Sequence, residues 1–332
     1  MFSTRWHLVL IVLSILLLLA SVTSLISGKY PLALHELWHS LMSGGRAGSD
    51  ADLVLWNLRI PRLFAAIVVG GSLAAAGSSY QAIFRNPLVS PDILGVSAGA
   101  GLGAVLAIFL GFSPVGVQLA AFAGGMLAVS LVYLISLSSR HADPVLVLVL
   151  AGVAIGSLLA AGISLIKILA DPYSQLATMT FWLLGGLNSV SQQDVFWALP
   201  CILIGLIPLI LLRWRINLLS LADIESQALG VNTSSLRLIL IVCATLMTAA
   251  AVSFSGVIAW VGLVIPHIAR LLVGPEFSRL MPTSILIGAL FLTITDNIAR
   301  SAAAMELPLG VLTSLIGAPF FLYLLLKGGR HG

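Results

Sequence analysis

The sequence predicts an all-α polytopic membrane protein with about ten transmembrane helices and both termini in the cytoplasm. Three observations predict this class. The 332 residues are 59% hydrophobic and only 8% charged, with a mean hydropathy of +1.11. Apolar runs long enough for the ~30 Å hydrocarbon layer recur along the whole chain. The runs are continuous rather than alternating, which argues against a transmembrane β-barrel. A single transmembrane domain over 1–332 is expected, interrupted by a cytoplasmic polar loop at about 213–237.

The runs fall at about 8–27, 62–83, 93–112, 115–137, 145–169, 195–212, 236–254, 256–273, 281–299 and 308–326. A shorter piece, 176–187, suits a re-entrant or surface segment. The first run carries Arg5 and then an apolar stretch, as a signal peptide would. It continues through Ser21–Ile26, however, and is read as an uncleaved first helix. An even number of spans puts both ends on one side. With that side cytoplasmic, ten of the sixteen Lys and Arg lie inside, from Arg5 and Arg85 to Lys327 and Arg330. This is the positive-inside bias, and it accounts for a pI of about 9.4 without nucleic acid. Cys201 and Cys243 have no CxxC partner and are read as buried free thiols.

Between the first two runs lies a long polar loop. His35 and His39 stand at i, i+4, a metal-compatible spacing, but Leu37 and Trp38 between them favour an interfacial amphipathic turn. Small residues mark helix contacts: Gly95–Gly99, Gly99–Gly103 and Gly152–Gly156 are GxxxG frames that allow close approach in lipid.

The stretch Arg213–Arg237 is the main polar island among the later runs. Ser220 and Asp223 suggest a capping box, Gly230 a helix stop, and Asn232 or Thr233 the cap of a second short helix. Leu221, Ile224 and Ala228 fall on one face. A helix of about nine residues spans roughly 13 Å and cannot cross a bilayer. Two readings stand: a capped surface loop, or a docking element for a soluble partner.

No catalytic constellation appears: no His adjoins a nucleophile in a known frame, and no Walker A sequence is present. The polar positions lie at segment ends. Arg59-Ile-Pro-Arg62 opens the second run, where the arginines either snorkel or offer a basic pad. Arg85 to Gly95, with two prolines, breaks the chain after that run. Asp296 and Arg300, at i, i+4, read as an internal ion pair or, alternatively, as an ion-coupling site. Pro266, His267 and Arg270 mark a kink and a cytoplasmic boundary.

Together these segments resemble the FecCD family of ABC importer permeases. The resemblance is carried by R-I-P-R at 59–62, G-S-L-A-A-A-G-S-S-Y-Q-A-I-F-R-N-P-L-V-S-P-D-I-L-G-V-S-A-G-A at 71–100 and L-A-G-V-A at 150–154. It continues with F-W-L-L-G-G at 181–186, L-G-V at 229–231, W-V-G-L-V-I-P-H-I-A-R at 260–270 and E-L-P-L-G-V-L-T-S-L-I-G-A-P-F-F at 306–321. Phe277 and Ala304 depart from the residues often found at those positions.

The resemblance implies a ten-helix subunit, not itself an enzyme, in the bacterial cytoplasmic (inner) membrane. Its partners would be a second permease subunit, expected to be a copy of this chain, two ATP-binding cassette subunits and a periplasmic substrate-binding protein. This chain would bind no cofactor or metal; ATP and Mg would be used by the partner ATPase. Arg59, Arg62 and Arg300 would receive acidic residues of the binding protein. Ser220, Leu221, Asp223, Ile224, Glu225, Ala228, Leu229 and Gly230 would couple to the ATPase, with a second short helix at about Asn232–Leu236. Asp143, Pro144, Val145 and Leu146 would form a cytoplasmic gate. The implied cargo is a ferric siderophore or other iron complex, with haem, cobalamin and molybdate or tungstate as alternatives. An ion-coupled secondary transporter using Asp296 is the contrasting class.

Overall fold

In the computed structural model, residues 2–28, 30, 32–46, 48–138, 143–303 and 305–328 are described, and their regular elements are all helical. Lys29, Arg140, Ala304 and Arg330, used in the sequence reading, lie outside them.

Among the described residues, seven helices are long and apolar enough to cross a membrane. They are α1 (Phe2–Ile26), the continuous rod from α3 (Asp50–Asp52) through a π-helical turn (Leu53–Arg59) into α4 (Ile60–Ile83), α6 (Pro114–Ser138), α7 (Pro144–Leu169), α9 (Gln192–Leu211), α12 (Thr233–Ser255) and α14 (Phe277–Ser301). α15 (Leu309–Gly328) is also apolar. Between α1 and α3 lies the short amphipathic α2 (Leu34–Ser43), which buries Leu37 and leaves Trp38 exposed.

The second span therefore begins earlier than its apolar run. Ser49 caps it by accepting from the Asp52 amide at 3.2 Å. Pro61 has no N–H to donate into the helical ladder. The ladder is re-registered just upstream, where the Ile60 N–H donates to the Leu55 carbonyl, five residues back.

Two spans are broken. α5 (Val96–Phe109) has 14 residues and α13 (Val261–Val273) has 13, about 21 and 20 Å of helix. A 3₁₀ turn at Pro91–Leu94 precedes α5, and non-helical backbone at 256–260 precedes α13. The run at 256–273 is thus not one helix, contrary to its continuous hydropathy. Pro91, Leu94 and Gly95 in the first break and Gly256 and Ile258 in the second are buried against the bundle, which shelters much of this irregular backbone. α8 (Gln175–Leu184) is the short apolar piece; it folds back on the bundle, where Gln175 Nε2 donates to the Phe109 carbonyl at 3.1 Å.

Small residues set the packing. α5 meets α6 at Gly99 and Gly124, where a Cβ on Gly99 would lie 2.4 Å from the Gly124 oxygen. Gly152 of α7 abuts the Ile93 carbonyl, where a Cβ would sit at 2.0 Å. Contacts that no frame announced join α4 to α14 (Gly70 against Gly288) and α4 to α13 (Gly77 against Gly262). α4 and α12 consequently form the core, while α1 and α7 leave most of their surfaces open. Cys243 is buried, but Cys201 is only half-buried, at the α9 surface.

Candidate functional site

Two polar clusters occupy opposite ends of the bundle. At one end the three arginines of the sequence reading share a cleft of about 240 Å³, lined also by Tyr30, Leu58 and Glu306. Arg59 rides the last residue of the π turn, so its side chain points back at the end of α1. There its Nη1 donates to the Leu25 and Ile26 carbonyls at 2.5 and 2.9 Å, and Nη2 reaches the Tyr30 carbonyl. The Leu25 and Ile26 carbonyls are the last two of α1, where the helix leaves its C=O groups unpaired and favours a cation.

Arg62, one turn along, reaches α14. Its Nε donates to both carboxylate oxygens of Asp296 at 2.9 and 3.0 Å, and Nη1 pairs with Glu306 at 2.8 Å. Arg300 stands 3.3 Å from Asp296 and bonds Ser24, Ser27 and Asn297. Asp296 has its expected pairing with Arg300, and a second guanidinium joins it. Its nearest partner is Arg62, 234 residues away, and the i, i+4 neighbour Arg300 is secondary. Two guanidiniums neutralise a carboxylate that is 2% exposed, as burial of that charge demands. Glu306 was legible only as part of a motif; nothing in the spacing tied it to Arg62.

The arginines are mostly covered by their own chain. The side chain of Arg62 is 11% exposed and that of Arg300 8%, so they are not freely extended surface charges. Three guanidiniums against two carboxylates nevertheless leave the cleft one positive charge in excess.

The other end holds the polar island. It folds as α10 (Arg213–Leu218), absent from the sequence reading, then α11 (Asp223–Ala228) and a direct entry into α12. The cap of α11 is corrected: Ala222 is the N-cap residue, with Glu225 accepting from its N–H at 3.3 Å. Ser220 instead donates to the Asn217 carbonyl and closes α10. No separate helix exists at 232–236; Asn232 caps α12 by accepting from Ser235 at 3.1 Å. Gly230, at φ +80°, ends the turn after α11. Ser226 is buried beneath the helix, donating to the Leu218 carbonyl. Leu221, Ile224, Ala228 and Leu229 remain exposed, Ile224 at 83%.

Asp223 ties three elements together. It accepts from Arg85 after α4 at 2.5 Å and from Arg237 on α12 at 2.7 Å. Arg85 adopts φ +48° and also donates to the Leu219 carbonyl at 2.5 Å. Burial would push the Asp223 carboxyl up, but the hydrogen bonds and charges of Arg237 and Arg85 hold it below its ordinary value. Arg85 begins the break whose Ile93 carbonyl abuts Gly152 of α7. The first residues of α7 are Pro144, Val145 and Leu146, with Asp143 capping them through the Val145 N–H at 2.8 Å. The break therefore links α11 to that helix.

Among the described residues no group of three or more His, Cys, Asp or Glu gathers as a metal site. His35 and His39 lie exposed on α2.

The chain is thus a helical bundle of the membrane-spanning class, with a buried arginine cleft at one end and an exposed short helix at the other. The chain belongs to the FecCD transport family, whose profile matches residues 16–327. It is 38% identical to the molybdate import system permease protein MolB of Haemophilus influenzae, over 96% of each chain. It is 44% identical to a probable iron chelatin transport system permease protein of Helicobacter pylori, over 84% of each. A solved structure described as "an inward-facing conformation of a putative metal-chelate type ABC transporter" superposes with a TM-score of 0.87 at 37% identity, covering 96% of this chain and 98% of that one. The chain is thus a permease of the ABC importer type.

Proposed function

We propose that this permease imports a ferric siderophore or other iron chelate across the bacterial cytoplasmic membrane, paired with a second copy of itself. A periplasmic binding protein delivers the cargo to the end bearing Arg59, Arg62 and Arg300. A separate ATPase, carrying ATP and Mg, engages the end bearing α11. No covalent chemistry falls to this chain; transport is alternating access. The observation that carries the cargo reading is the similarity to an iron chelatin permease and to a metal-chelate type transporter. Molybdate is the second reading, favoured by the relative MolB over nearly the full chain.

The excess positive charge in the arginine cleft supports docking of an acidic side chain, since charge complementarity sets orientation and on-rate. The exposed apolar residues Leu221, Ile224 and Leu229 around a rigidly tied helix support coupling to another protein. Asp143, Pro144, Val145 and Leu146, connected to α11 through the break, suit a cytoplasmic gate. Asp296, flanked by two guanidiniums, is poorly suited to ion coupling, because a cation entering there would have to displace them.

The test is uptake in proteoliposomes holding the whole importer, comparing labelled ferric siderophore with molybdate. Iron-chelate uptake that stops on ATP depletion and survives collapse of the proton gradient supports the proposal. Uptake of molybdate alone would replace the cargo, and loss of uptake with the gradient would overturn the mechanism.

A further inference from the structure

Arg62 holds its two acids unequally. Asp296 takes three contacts from it, is held again by Arg300, and is 2% exposed. Glu306 takes one, from Nη1 at 2.8 Å, and is 30% exposed; this is its single ion pair among the described residues. An ion pair of the second kind is the weaker, because water competes for both partners.

The Arg62–Glu306 pair also stands between two cavities. One is the arginine cleft of about 240 Å³. The other, of about 650 Å³, lies over Phe181, Gly186 and Pro308. Arg62, Leu187, Asn188 and Glu306 line both, so the pair forms part of their shared wall. Beyond it, the Leu309 N–H donates to the Gly185 carbonyl at 2.9 Å. A Cβ on Gly310 would lie 2.4 Å from the Leu184 oxygen and 2.7 Å from that of Val257. The ends of α8, of the 256–260 break and of α15 therefore meet without slack, only three residues past Glu306.

We propose that Glu306 is an internal placeholder for the binding protein. Its carboxylate occupies the position on Arg62 that an incoming acidic side chain takes, and it is displaced on docking. Asp296 stays, so the buried guanidinium is never left without a counter-charge. Release of Glu306 opens the shared wall and frees the chain leading to Leu309 and the three-way junction. Docking at the cleft is thereby linked to the larger cavity behind it. The inference rests on the docking role proposed for the cleft.

The experiment measures binding of the cognate substrate-binding protein to the intact permease–ATPase complex in nanodiscs. Glu306→Gln keeps the shape but removes the competing charge, and should tighten docking by about threefold to tenfold. Arg62→Gln should weaken it by about tenfold or more. Because losing a carboxylate also raises the cleft's net charge, Glu306→Asp, which keeps the charge but loosens the hold on Arg62, must tighten docking too. If Arg62→Gln weakens docking while Glu306→Gln leaves it unchanged or weaker, the placeholder role is overturned and the docking role survives. If neither changes it, the docking role falls as well. Should Glu306→Gln fail to assemble, Glu306→Asp, with its shorter reach to Arg62, should tighten docking in the same direction; unchanged or weaker binding there overturns the placeholder.

Discussion

Asp223 and Arg85, 138 residues apart, meet at 2.5 Å and fasten the exposed helix α11 to the break that follows α4. Arg237 completes the clamp from α12. The pair lies on a covalent and hydrogen-bonded route from α11 to the chain against Gly152 of α7. Asp223→Ala should therefore lower uptake per ATP hydrolysed a few-fold, while the ATPase still binds and turns over. Parallel assays of uptake and phosphate release on one preparation decide it; equal loss of both would leave Asp223 with a role in assembly only.

The same carboxylate makes a pH prediction. Burial alone would raise its pKa, but Arg237 and Arg85 hold it below the ordinary carboxylate value. A depressed folded-state value means that the stabilisation is present above the unfolded pKa and is lost as pH falls through the folded one. The ratio of uptake to hydrolysis should accordingly stay flat between about pH 5 and 8. A titration of that ratio inside this window would assign the coupling to another group.

Ala228→Pro removes an N–H from the last turn of a six-residue helix and drives a ring toward the preceding turn, at a cost of about 3 kcal/mol or more. Helix α11 has no spare turn to absorb this. ATP hydrolysis should continue without uptake, and normal uptake by this variant would remove α11 from the coupling route.

At the centre of the bundle, a Cβ on Gly77 would lie 1.9 Å from the Gly262 carbonyl oxygen, while one on Gly156 meets nothing within 4 Å in the chain. Gly77→Ala should destabilise the subunit by at least about 1–3 kcal/mol through overpacking. Gly156→Ala should leave it unchanged. Thermal unfolding in one detergent compares the two, and equal midpoints would mean that the α4–α13 contact relaxes freely.

Asp296→Asn leaves Arg62 and Arg300 facing a neutral amide. Breaking a buried pair of this kind costs about 3–5 kcal/mol. The expected result is a sharp fall in unfolding temperature, with any surviving uptake still driven by ATP. A stable variant that had lost only a dependence on the proton gradient would revive the ion-coupled class.

Much of this architecture is written locally. The positions of the spans follow from apolar run length, because the bilayer excludes unpaired backbone wherever water is absent. The break at Arg85–Gly95 follows from two prolines and a glycine, and Gly230 takes the positive φ that a helix stop needs. Other features were not legible. Ser220 and Asp223 have the spacing of a capping box, yet the helix starts at Asp223 with Ala222 as its cap, because Ser220 is used to close α10. The interruption at 256–260 is as apolar as the helices beside it, so hydropathy shows no boundary there.

The amino-acid sequence determined the class, the order of the spans and which polar segments lie at their ends, since each rests on short-range composition and on the transfer of apolar side chains into lipid. The family resemblance, rather than composition or spacing, drew Arg59, Arg62 and Arg300 into one list. Only the tertiary structure decided that Arg62 rather than Arg300 is the main partner of Asp296, that Glu306 shares it, and that Asp223 binds Arg85. Those contacts span 138 to 244 residues. Their charges choose partners by distance after the helices have packed, and the helix positions are set by glycine contacts, several of which follow no local frame.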